Sequence, residues 1–79
     1  MELIPIKVKC HSGYRADEYP INFIWENIVF DIFEIIDRWY DGYIQGQSEE
    51  ANYFKVKTNF AGFYMLRHET ENDKWFLVI

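Results

Sequence analysis

The side chains best suited to chemistry in this chain are few: Cys10 beside His11, and His68 far along the sequence. A structural zinc site needs four ligands, ordinarily in closely spaced pairs, and neither a CxxC nor an HxxxH spacing occurs, so no metal is expected. A reactive thiol needs access and a polarising neighbour. Cys10 instead falls on the apolar face of the alternating stretch "IKVKC", where a cysteine is a small inert hydrophobe. No phosphate-binding loop, GxGxxG, GxSxG or HExxH pattern is present, so the sequence predicts no catalytic residue, no cofactor and no enzyme.

The acidic residues of "FDIFEIIDRWYD" have the spacing to supply a carboxylate pair for acid–base work or for Mg²⁺. Nothing else in the chain completes such a site, and charges set between apolar residues ordinarily form the solvated side of a half-buried element. Asp37 and Arg38 stand apart as candidates for a structural ion pair, Asp37 with Arg67 or Arg38 with a loop carboxylate. A third candidate is a surface. Lys7 and Lys9 share one strand face, Tyr53, Lys55 and Lys57 share another, and Arg67 follows on the next strand; were these faces coplanar, they would form a basic, aromatic-interleaved platform for single-stranded nucleic acid or an acidic peptide. The competing expectation is that lysines on the outer face of a small sheet merely guard it against edge pairing.

The elements that must position these residues follow from period. "IKVKC" alternates, with Ile6, Val8 and Cys10 on one side and Lys7 and Lys9 on the other. "HSGYRADEYP" has loop chemistry. "INFIW" and "IVFDI" are separated by "EN", the spacing of a tight hairpin in which Asn27 tolerates positive φ. "YDGYIQGQSEEAN" reads as a second loop, "YFKVKT" and "FYMLRH" form a hairpin across "NFAG", and "KWFLVI" closes the chain with apolar residues on both faces.

"IVFDIFEIIDRWYDG" has two readings. Ile28, Ile32, Ile35, Ile36 and Trp39 form a stripe at helical spacing. The segment nevertheless lacks Ala and Leu, is rich in Ile, Val, Phe and Trp, and starts two residues after a strand. A strand through Ile28, Phe30 and Ile32, bulged near Phe33 to Ile35, would shift phase and still bury the later residues. The expectation is therefore an all-β domain, a small antiparallel barrel or half-barrel of five to six strands, with α+β and a short helix at about 31–40 as the alternative. Its core is expected to contain Ile6, Val8, Phe23, Trp25, Ile32, Ile35, Trp39, Phe54, Val56, Leu66, Trp75 and Leu77.

Length and composition agree with that picture. At 79 residues there is room for a single domain, and 49% hydrophobic residues, including three Trp, six Tyr and seven Phe, give it a dense core rather than disorder. One cysteine allows no internal disulfide, and "MELIPIKVKC" lacks the basic lead and unbroken apolar run of a signal peptide; a cytoplasmic location and no membrane are expected. The net charge of −5 disfavours nonspecific nucleic-acid binding. Charge is also polarised: from Asp17 to Glu50 nine acidic residues face Arg38 alone.

Phe23, Trp25, "IIDRWYD", "YFKVKT", Gly62, "YMLRH" and "WFL" together resemble a family of small uncharacterised bacterial domains that share a Trp-turn-strand start, an "LDRW" segment, a "YFxVxT" strand and a closing Trp-x-Leu. The resemblance spans about 12–77, and Ile36 stands where the family pattern has Leu. It carries no established activity. Some relatives lie near translesion DNA polymerase genes, which implies an accessory role in DNA repair or replication; the acidic balance of this chain and the stretch "GYIQGQSEEAN" depart from the pattern. The functional expectation is a non-catalytic module that binds a protein partner, with an accessory single-stranded nucleic-acid module as the alternative.

Overall fold

The computed structural model describes residues 2–11, 19–41 and 50–79. Six strands follow in order, β1 Leu3–His11, β2 Tyr19–Trp25, β3 Ile28–Asp41, β4 Ala51–Thr58, β5 Phe63–Glu69 and β6 Lys74–Val78. Each pairs antiparallel with the next, and β6 returns to β1, so the sheet closes into a six-stranded barrel. The all-β expectation holds and the helix at about 31–40 does not form. Much of the two expected loops, at 12–18 and 42–49, lies outside the described residues.

Local chemistry explains why β3 is a strand. Glu26 and Asn27 both take left-handed φ, 53° and 63°, which is the two-residue hairpin turn whose twist matches its flanking strands. Phe23 then meets Phe30 and Trp25 meets Ile28 across the hairpin. Farther along, the β3–β4 register shifts between Ile32 and Glu34 and again between Ile35 and Asp37. Phe33 and Ile36 are the extra residues at these bulges. Each bulge inverts the alternation, so Ile32 and Ile35 both turn inward although they are three residues apart. The helix-like spacing of this segment is therefore the trace of two bulges.

The same phase change corrects one expected core residue. Trp39 pairs with Tyr53 on the outer face, stacks on its ring at 5.4 Å between centroids, and is 37% exposed. The other expected core residues all lie in or against the core, joined by Phe30, Ile4, Cys10 and Tyr64. Phe23 and Phe30 stack at 4.7 Å, and Tyr64 packs edge-on against both. One inward row runs Phe54, Leu66, Leu77, Ile4 across β4, β5, β6 and β1.

The β4–β5 connection is tied back to β3. The Asn59 amide donates to the Asp31 carbonyl at 3.1 Å, and its side-chain oxygen accepts the Asp31 amide at 2.9 Å. Gly62, at φ 92°, supplies the left-handed residue of this turn. The last residue is also held: Glu2 and Ile79 exchange two backbone hydrogen bonds of 2.9 Å.

Closure is uneven around the barrel. Among the described residues, β2 pairs with β3 only through Asn22–Trp25, and β3 beyond Asp31 pairs with β4 alone. β1 likewise pairs with β6 over Leu3–Ile6 and with β2 from Lys7 onward. The wall consequently splays at two corners, leaving a cleft of about 510 Å³ between β2 and β3 and one of about 670 Å³ between β1 and β6.

Candidate binding surface

The six residues of the expected basic surface do not share one platform. Lys7 and Lys9 lie on β1, whereas Tyr53, Lys55 and Lys57 lie on β4, three strands away in either direction round the ring. Lys55 and Lys57 hold their ammonium groups 4.9 and 5.7 Å from the centroid of Phe63 on β5, a contact of cations with the negative face of a ring. Across the β3–β4 ladder these lysines stand opposite Asp37 and Glu34.

Arg67 has a structural place. Its residue is only 8% exposed although it lies on the outer face of β5. Its guanidinium donates from Nε to Glu69 Oε2 at 3.2 Å and from an outer nitrogen to the Tyr53 hydroxyl at 2.6 Å. Asn72 donates to the other Glu69 oxygen at 3.1 Å, and the Arg67 guanidinium lies 5.5 Å from the centroid of the Tyr53 ring on which Trp39 stacks. Burial by itself lowers the affinity of Arg67 for its proton, but the hydrogen bonds and attraction from Tyr53 and Glu69 outweigh it and hold the group above its ordinary value. Arg67 thus pairs with Glu69, not with Asp37.

Asp37 and Arg38 touch differently from the expected ion pair. The Asp37 carboxylate accepts the backbone amide of Arg38 at 2.8 Å, while the Arg38 guanidinium sits 4.9 Å from the Phe54 ring centroid. The second bulge explains this, because it sets Asp37 outward opposite Lys55 and Arg38 on the side of Phe54. Nearby, the Tyr40 phenol keeps its proton above the usual range, through lost hydration first and then through interaction with the Glu50 carboxylate and its negative charge.

Two features were not foreseen. His68 is buried, its ring stacked on Trp75 at 4.0 Å and its Nε2 placed 2.8 Å from Asp73 Oδ1 across the β5–β6 turn. This pair joins the ends of one hairpin; among the described residues no group of three metal-ligating side chains gathers around it. The other feature is the margin of β3. No described strand pairs with 32–41 on the side away from β4, and there Phe33 is 73% exposed, Tyr40 56% and Ile36 41%. Beside this margin, Tyr19, Pro20 and Ile21 of β2 face Ile32 and Ile35 across the 510 Å³ cleft. The signal was present in the sequence as an apolar excess, since Phe33 and Ile36 exceed what one strand face can bury. No protein-family model, no curated protein and no solved structure matches this chain.

Proposed function

We propose that the chain is a non-catalytic module that binds a protein partner, and the observation that carries this reading is the unpaired, apolar margin of β3. Unpaired strand edges present rows of peptide donors and acceptors, and natural domains usually shorten, charge or cover them. Here the margin is long and, although it carries Glu34, Asp37, Asp41 and two bulges, it also bears Phe33, Ile36 and Tyr40 in the open. Three large apolar side chains set along one open strand margin are more than the single scattered apolar residues of an ordinary surface. The test is photo-cross-linking in the native cell with a benzophenone amino acid at Phe33, and separately at Lys74 on β6. A discrete protein adduct from position 33 and none from position 74 is the expected result; equal or absent adducts at both positions overturn the reading.

A second reading rests on Phe63. The residue is 57% exposed and its ring is flanked by Lys55 and Lys57, a small stacking surface with two cations against it. Such an arrangement suits a base of single-stranded nucleic acid. Salt-sensitive binding of a fluorescent single-stranded oligonucleotide, weakened by Lys55→Glu, would support it; no binding at low salt eliminates it.

A further inference from the structure

We propose that the β3 margin takes up an extended, basic–apolar segment of a partner protein as an added antiparallel or parallel strand; this rests on the protein-binding reading above and names its site and partner class. The backbone argument is that, among the described residues, β3 beyond Asp31 is hydrogen-bonded to β4 only, so alternate peptide groups face outward along the margin. Main-chain pairing with such an edge gives affinity, and the alternate side chains give selectivity.

The side chains define that selectivity. On the outer face the margin presents Glu34, Asp37 and Asp41, whose ladder partners are Lys57, Lys55 and Ala51. Both lysines are engaged with the Phe63 ring, and among the described residues no ion pair joins Glu34 or Asp37. On the inner face Ile35 borders the cleft between β2 and β3, which Pro20, Ile21, Ile32 and Phe33 line and to which Glu34 adds the one charged group. An added strand therefore meets carboxylates with one set of its side chains and a largely apolar cleft with the other. Lysine or arginine alternating with valine, isoleucine or leucine satisfies both. The Asp37 carboxylate, which now accepts the Arg38 amide, is placed to release that amide to an incoming carbonyl and to pair with an incoming cation.

The same charges disfavour a second copy of the chain as the occupant. A two-fold pairing of β3 with β3 sets outer-face residues against one another, and three of those four, Glu34, Asp37 and Asp41 beside Trp39, are carboxylates. Like charges directly opposite each other in a ladder are destabilising.

The test uses the full chain and three fluorescein-labelled nine-residue peptides: alternating lysine and valine, alternating glutamate and valine, and the lysine–valine peptide with alternate backbone nitrogens methylated. Anisotropy is expected to show binding of the first at roughly micromolar concentration. The glutamate peptide and the methylated peptide should bind at least about tenfold more weakly, the former through charge and the latter through lost main-chain pairing. Glu34→Lys with Asp37→Lys, both at exposed positions, should weaken the first peptide by a similar factor, whereas Lys74→Glu should not. Hydrogen exchange supplies the second measurement: the outward-facing amides within 33–41, those not bonded to β4, should exchange quickly in the free chain and slow on peptide addition. Equal binding of the methylated peptide overturns strand addition. Slow exchange of those outward-facing amides in the free monomer, or a concentration-dependent dimer that protects them, also overturns it by giving the margin to the chain itself or to a second copy. If the peptides fail but cross-links from position 33 persist, the protein-binding reading stands and only the added strand is lost.

Discussion

Arg67 lies among buried neighbours on the outside of the barrel, and its worth depends on what its loss would strand. Removing it leaves the Glu69 carboxylate and the Tyr53 hydroxyl with a shared partner missing in a poorly hydrated place. Breaking one side of a buried ion pair costs about 3–5 kcal/mol, more than the intact pair contributes over an apolar substitute. Arg67→Met is therefore expected to lower the unfolding free energy by about 3 kcal/mol in urea titration, and Arg67→Met with Glu69→Met by distinctly less. A loss below about 1 kcal/mol for the single change would place the cluster among ordinary surface pairs. At this scale the sequence was a partial guide. Arg67 and Tyr53 were legible as neighbours on one sheet face, but their burial was not, because residues on the outer face of a strand show no sign in their period of being covered.

At the scale of elements, turns and bulges set the barrel's shape. Both residues of the β2–β3 turn have left-handed φ, yet the first is Glu26, which pays conformational strain there. Glu26→Asn with Asn27→Gly matches the turn's preferred pair and should raise stability by about 0.5–1 kcal/mol, read as a higher melting temperature. Gly62→Ala should do the opposite. A methyl there meets no atom within 4 Å, so the expected loss of about 1 kcal/mol is conformational, arising from φ 92°. The hairpins themselves were legible from "EN" and "NFAG". In β3 the sequence left strand and helix both open, since two bulges within a few residues reproduce the three-residue spacing of a helix; the β-branched content and the turn before it favoured the strand. The displacement of Trp39 to the outer face was not legible, because it needs the position of the second bulge, at Ile36.

At the scale of the whole molecule, closure makes the core a shared property of all six strands. Leu77 on β6 is 2% exposed and lies between Leu66 and Ile4 in the inward row that joins β5 to β1. Leu77→Ala is expected to cost about 2–5 kcal/mol while unfolding stays a single transition by fluorescence and circular dichroism alike. Ile36→Ala on the open margin should change stability by no more than about 0.5 kcal/mol. Similar losses at both positions would mean that the margin is packed in solution, contrary to its exposure here. By itself the sequence determined the strands other than β3, the hairpin turns and most of the core, and it favoured the all-β class, because alternation and turn chemistry act between residues close along the chain. Only the tertiary structure decided that β1 and β4 stand on opposite walls, that Arg67 is buried, and that β3 outruns its pairing with β2. Those outcomes depend on the order in which strands close and on where bulges shift their register, and both are settled by contacts between residues far apart in sequence.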